Sequence, residues 1–204
     1  MIRRILVANR GEIARRVFRT SRRMNMETVA VYSDPDMSEP HVVEANHAVN
    51  LPGSTPSETY LDIDAVLGAA KQTGADAIHP GYGFLAENAE FARRVIDAGL
   101  TWIGPSPEAI EVMGSKLRSK DVVEAAGVAI LRAIDLSGMA EDAVMEAAAG
   151  LGYPVLVKAS AGGGGKGMRV VGDPTDLPEA IEGARREAAS AFCDDTVFLE
   201  KYLE

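Results

Sequence analysis

Residues 157–168 read Val-Lys-Ala-Ser-Ala-Gly-Gly-Gly-Gly-Lys-Gly-Met and have apolar runs on both sides. Gly162, Gly163, Gly164 and Gly165 lose more backbone entropy on folding than other residues would, so the run needs a compensating role. Without a Cβ, successive glycines reach positive φ and can turn their N–H groups toward one point, forming a concave nest for anionic oxygens. Lys158 and Lys166 flank the run with point charges. Phosphate is the ligand that suits this chemistry. The competing reading is a plain flexible hairpin, and four glycines are an excessive way to build one.

Two better-known nucleotide loops do not fit. The Walker pattern needs Gly-x4-Gly-Lys-Ser/Thr, but Ser160 stands at the first glycine position and Gly167 follows Lys166, so no hydroxyl is placed for a metal. At the first strand-to-helix turn the chain reads Ala8-Asn9-Arg10-Gly11-Glu12-Ile13-Ala14, which lacks the Gly-x-Gly-x-x-Gly spacing of a dinucleotide site. A nicotinamide-binding domain therefore loses its anchor. A glycine loop joining two strands and folding over a nucleotide is the design of an ATP-grasp lid. A Lys–phosphate pair at about 4 Å is worth roughly 1 kcal/mol in bulk water and roughly 4 at an effective dielectric near 20, so closure and binding should be linked.

The elements that must hold this loop can be read from the pattern. The first half alternates short β-branched runs with Ala-rich helical stretches, the βαβ signature of a parallel sheet covered by helices. Strands are expected at 5–8, 28–32, 48–51, 77–79 and 101–103. Helices are expected at 11–24, 42–46, 62–73, ended by Gly74, and 88–98, ended by Gly99. Helices at 107–113 and 116–126 read as a linker. A smaller α+β unit follows, with a helix at 141–149, strands at 154–159 and 167–171 around the glycine loop, a helix at 177–191 and a strand at 196–200. The division predicted is a Rossmann-like domain over 1–103, a helical linker over 104–130 and a lid subdomain over 131–204.

Composition narrows the partners. The chain has 204 residues, 47% of them hydrophobic, and 21 Lys plus Arg against 30 Asp plus Glu, a formal net charge of −9. A surface of that sign repels nucleic-acid backbones. Arg15, Arg16, Arg19, Arg22 and Arg23 recur at roughly helical spacing and read as a solvated helix face, with a subunit contact as the alternative. The single cysteine, Cys193, excludes an internal disulfide framework and a Cys-based metal cluster. The apolar run 5–8 is too short for a signal-peptide core or a membrane span, so a soluble cytoplasmic protein without a cleaved leader is expected.

Four segments in register, Ile5 to Ala14 (ILVANRGEIA), His79 to Phe84 (HPGYGF) with Leu85-Ala86-Glu87-Asn88, Ile103 to Pro105 (IGP) and Lys158 to Met168 (KASAGGGGKGM), closely resemble biotin carboxylases. The resemblance covers nearly the whole chain. It is strongest to the biotin-carboxylase subunits of acetyl-, propionyl- and methylcrotonyl-CoA carboxylases and extends to the matching domain of pyruvate carboxylase. It implies a Rossmann-like pre-ATP-grasp domain plus an ATP-grasp lid, with ATP and Mg²⁺ as cofactors and carrier-bound biotin as substrate. The partners implied are a biotin carboxyl carrier domain, a carboxyltransferase subunit and a second copy in a homodimer. Nucleic acid and membranes are not implied.

By position, the resemblance makes Lys116 and Lys158 the two ATP-phosphate lysines. Gly163, Gly164 and Gly165, with Lys166 beside them, would cap the phosphates, and Met168 would pack on adenine. Glu200, Lys201 and Leu203 match the hinge that meets the adenine edge largely through main chain, and Tyr82 and Gly83 match the turn near the biotin ring. Each has a structural competitor: Lys116 and Lys201 as solvated lysines, Met168 as a core residue, His79 as a satisfied structural histidine, and Tyr82 as a cover for the sheet end. The sequence departs from the family at Ala129 to Ala133, where a Val-Pro-Gly turn is usual, and at Arg23, where relatives often carry an acid near the dimer face. The resemblance also implies that a larger C-terminal ATP-grasp subdomain, with the magnesium carboxylates and the bicarbonate base, lies beyond Glu204. No catalytic or metal-binding residue is then expected within these 204 residues, and the chain alone is expected to be inactive. The alternatives are another ATP-grasp ligase, such as carbamoyl-phosphate synthase or a carboxylate-amine ligase, or a non-catalytic nucleotide-binding or interaction fragment.

Overall fold

The structure is a computed structural model that describes residues 2–161, 167–192 and 194–203. The chain divides into two compact units, Met1–Glu111 and Val112–Glu204.

The first unit is built on a five-stranded parallel sheet in the order β3-β2-β1-β4-β5. Its strands are β1 (Arg4–Val7), β2 (Glu27–Tyr32), β3 (His47–Asn50), β4 (Ala77–His79) and β5 (Thr101–Trp102). Side chains on a strand alternate between faces, and the core follows that alternation. Val7 and Ala30 join Ala14 and Phe18 of α1 (Gly11–Arg23) on one face. Leu6, Val29, Val31 and Ile78 pack on the other against Val66 and Ala70 of α3 (Ile63–Thr73) and Phe91 of α4 (Ala89–Asp97). A short helix, α2 (Pro40–Glu44), precedes β3. The sequence sets several helix ends directly. Asp62 and Asn88 cap α3 and α4 by accepting the N–H of Ala65 and Phe91, and Gly74 closes α3 in the left-handed conformation at φ 62°. The arginine face of α1 is exposed, and Arg15 and Arg22 both pair with Glu44 of α2.

A helix, α5 (Pro107–Met113), spans the point of division. The second unit opens with α6 (Lys116–Ala125) and contains a four-stranded antiparallel sheet in the order β6-β9-β7-β8. The strands are β6 (Ala133–Asp135), β7 (Val155–Ala159), β8 (Met168–Val171) and β9 (Val197–Lys201), and β6 was not anticipated from the sequence. Helices α7 (Glu141–Leu151) and α8 (Leu177–Phe192) supply Val144, Ala148, Leu177, Ile181 and Ala184 to a core that includes Val155, Val157, Val197 and Leu199. Among the described residues no helix is long and apolar enough to cross a membrane.

Candidate nucleotide site

The ends of β7 and β8 define where the glycine segment leaves and rejoins the sheet. Lys158 is paired with Met168, and the Ala159 N–H donates to the Gly167 carbonyl at 3.1 Å, closing the stem of the hairpin. Gly167 sits at φ 68°, and a Cβ there would lie 2.9 Å from the Ala159 Cβ, so the tight stem itself requires glycine. Gly163, Gly164, Gly165 and Lys166 lie outside the described residues.

The N-terminus of α6 docks beside this stem. The Lys116 N–H donates to the Ser160 carbonyl at 3.2 Å, while its ammonium reaches the carbonyls of Ser160 and Ala161 at 3.2 and 3.3 Å. Ser115 caps the helix by accepting the Arg118 N–H. Burial and, behind it, the positive charge of Lys158 hold the Lys116 ammonium pKa below its ordinary value.

Lys158 lies on β7, directly opposite Phe198 of β9 in the sheet register, and its ammonium stands 5.6 Å from that ring's centroid. The same ammonium donates to Glu200 Oε2 at 2.9 Å. Glu200 is only 3% exposed, on β9, an inner strand between β6 and β7. Its other oxygen, Oε1, is buried and forms an ion pair with the Lys120 ammonium at 2.5 Å. Burial would raise the Glu200 carboxyl pKa, but the contacts from Lys120 and Lys158 outweigh it and leave the pKa below the ordinary value. Lys120 also donates to the Leu131 carbonyl at 2.9 Å, tying α6 to the segment that leads into β6.

The outcome for the expected site residues is therefore mixed. Lys158 and Glu200 pair across neighbouring strands, Lys116 lies past the end of β7 within reach of the Lys158 charge, and Lys120, which the sequence reading missed, is the second partner of Glu200. It lies four residues after Lys116, the spacing that puts two helix side chains on one face, and that was the available signal. Lys201 is on the same strand, but its ammonium is held by the carbonyls of Gly152 and Tyr153 at 2.8 and 3.1 Å. Met168 is 45% exposed rather than part of the core, and Leu203 is 64% exposed.

Tyr82 and Gly83 belong to the first unit, at the carboxyl end of β4. Asn9, buried at the end of β1, donates to the carbonyls of Pro80 and Tyr82 at 3.0 and 2.8 Å and so fixes the path of the turn. Gly81, at φ 71°, passes so close that a Cβ there would meet Asn9 atoms at 2.7–2.9 Å. The Gly81 N–H donates to His79 Nδ1 at 2.9 Å; His79 is thus a structural acceptor, and burial lowers its pKa. The Tyr82 ring is 76% exposed and lies at one end of an apolar trough of about 1160 Å³ that also takes in Ile5, Ile13, Val17 and Ile103. Behind the turn, Phe84 stacks on Tyr60 with centroids 5.0 Å apart, and Arg10 lies over both rings. Tyr60 donates to Asp36 at 2.6 Å and accepts the Ser33 N–H at 3.0 Å; burial, then the bond to Asp36, pushes its phenol pKa up to about 12. This Arg10–Asp36–Tyr60 support was not anticipated either, since Asp36 reads as an ordinary turn residue in Asp34-Pro35-Asp36.

Among the described residues no group of three or more His, Cys, Asp or Glu could hold a metal ion.

Residues 1–110 match the family model of the biotin carboxylase N-terminal domain, and residues 115–204 match that of the carbamoyl-phosphate synthase L chain ATP-binding domain. Biotin carboxylase from Halalkalibacterium halodurans is 46% identical over 204 residues, covering 100% of this chain and 45% of the relative. A crystal structure of a biotin carboxylase–β-γ-ATP complex from Campylobacter jejuni superposes with a TM-score of 0.95 at 42% identity, covering 100% of this chain and 46% of that one. The biotin carboxylase domain dimer of Hydrogenobacter thermophilus 2-oxoglutarate carboxylase, solved with MgADP, ADP and bicarbonate, gives a TM-score of 0.91 at 44% identity, with 100% and 45% covered. The chain spans less than half the length of these relatives. By the match of its first 110 residues, this chain belongs to the biotin carboxylase family and corresponds to its N-terminal and ATP-binding regions.

Proposed function

We propose that the second unit binds ATP through the cluster at the ends of β7 and β9. The observation that carries this reading is the concentration of charge. Lys120 and Lys158 converge on the Glu200 carboxylate, two positive groups against one negative, and the Lys116 ammonium stands near enough to Lys158 for that charge to lower its pKa, in a chain whose net charge is −9. Bringing like charges together is unfavourable unless an anion joins them, and a polyphosphate is such an anion. In this reading Lys116 and Lys158 meet the phosphates, the amides of Gly163, Gly164 and Gly165 close over them with Lys166 beside, and Met168 packs on adenine. The exposed Met168 side chain is available for that contact. The main chain of Glu200, Lys201 and Leu203 meets the adenine edge, and the Lys201 side chain, anchored on Gly152 and Tyr153, holds that strand rather than the nucleotide.

In a complete enzyme of this family, ATP would phosphorylate bicarbonate to carboxyphosphate, whose breakdown supplies carbon dioxide to a biotin ureido nitrogen on a carrier protein. Tyr82 and Gly83 stand at a strand carboxyl end, where ligands collect in parallel sheets, and are proposed to meet biotin. The larger partners would be the carrier domain and a carboxyltransferase. Phosphoryl transfer relies on metal and fixed cations to neutralise developing charge. The 204 residues alone are accordingly proposed to bind nucleotide without turnover. Calorimetric titration with ATP and ADP tests the reading: saturable heat, strongly reduced by Lys158→Met, supports it. Absence of binding at millimolar nucleotide, or bicarbonate-dependent ATP hydrolysis with free biotin, contradicts one half of it.

A further inference from the structure

We propose that Lys120 is a positioning residue for nucleotide binding, holding Glu200 in place while Lys158 turns from that carboxylate to the phosphate tail. The inference rests on the ATP reading above and adds a partner exchange to it. Lys158 has two claims on its ammonium. In the structure it is spent on Glu200 Oε2 at 2.9 Å, yet in the nucleotide complex the same ammonium must reach an anion outside the sheet.

If Lys158 were the sole partner, its departure would leave a nearly fully buried carboxylate uncompensated on an inner strand, which is strongly unfavourable. The exchange would then work against binding. Lys120 removes that obstacle. Its ammonium lies 2.5 Å from the opposite carboxylate oxygen, Oε1, and is steadied by the Leu131 carbonyl at 2.9 Å. The two lysines reach Glu200 from different elements, α6 and β7, so one can leave without disturbing the other. Lys116, on the same face of α6, is committed to the Ser160 and Ala161 carbonyls and does not replace either. Lys120 itself stays off the nucleotide.

The test is calorimetric titration of the full chain with ATP, ADP and adenosine, using Lys120→Met, Lys120→Arg and the double variant Lys120→Met with Glu200→Gln. In Lys120→Met, Glu200 retains Lys158, so the loss falls on phosphate: affinity for ATP and ADP drops ~10-fold or more while adenosine changes less than ~2-fold. Lys120→Arg restores ATP affinity to within ~3-fold of the parent, and adding Glu200→Gln to Lys120→Met regains most of the loss because no carboxylate competes for Lys158. A Lys120 that merely braced the fold would weaken all three ligands alike and would gain nothing from Glu200→Gln. That pattern, or an unchanged ATP affinity in Lys120→Met, overturns the proposal. If the parent chain itself takes up neither ATP nor ADP, the nucleotide reading fails and this inference fails with it, an outcome distinct from a failure confined to the variants.

Discussion

Replacing Glu200 with Gln should lower the stability of the second unit and raise its affinity for ATP. Breaking a fully buried ion pair costs about 3–5 kcal/mol. Here the side chains of Lys120 and Lys158 are 20% and 21% exposed and can turn to water, and Gln keeps one acceptor. The expected loss at pH 7 is therefore about 1.5–3 kcal/mol. Amide exchange of β7 and β9 reads that loss in the second unit alone. The pH dependence has a definite sign. Because the folded-state Glu200 pKa lies below the unfolded value near 4.5, its stabilisation is fully present above that value and is lost as pH falls through the folded one. The gap between parent and Glu200→Gln should thus hold from neutral pH down to about 4.5 and close below it. At pH 7, freeing Lys158 should raise ATP affinity several-fold. A variant as stable as its parent, a gap independent of pH, or stability and ATP affinity falling together would refute the reasoning.

The other predictions concern parts of the scaffold. Gly81→Ala should destabilise the first unit by about 2–4 kcal/mol, combining left-handed strain with displacement of the doubly bonded Asn9, whereas Gly74→Ala, whose Cβ meets only Arg4 at 3.6 Å, should cost about 1 kcal/mol. The fluorescence of Trp102, the single tryptophan, follows that unit in urea, and equal costs would count against the close approach. Tyr60→Phe leaves Asp36 and the Ser33 N–H each one partner short and should cost about 1–3 kcal/mol in the same assay; no change would remove the network from the account. Lys201→Met should cost about 1–2 kcal/mol through the Gly152 and Tyr153 carbonyls yet shift ATP affinity less than ~2-fold. A large affinity loss would place that ammonium on the nucleotide instead.

Much of the fold could be read from local chemistry. Asp62, Gly74 and Asn88 mark helix ends because capping is decided by the residue at the end itself. The β-branched runs of the first unit mark strands because a sheet covered on both faces needs continuous apolar character. Strand β6 escaped notice because Ala133–Asp135 offers one β-branched residue in three positions; pairing with β9, with Ile134 opposite Leu199, makes it a strand. The site was legible where residue type alone carried the chemistry, as in the glycine run and Lys158. It was not legible where burial decides the role. Glu200 reads as a hinge residue that acts through its main chain, and only its place on an inner strand turns its side chain into the shared counter-ion of two lysines. The same holds for Asp36 and Tyr60, 24 residues apart and joined only by the fold.

The most direct test of the account is an ATP titration of the isotope-labelled chain followed by amide chemical shifts. The account predicts saturable shifts at 160–168 and 199–203, with the amides of Gly163, Gly164 and Gly165 moving most for ATP and hardly at all for adenosine. Shifts confined to the first unit, or amides at 162–165 unmoved by saturating ATP, would contradict it.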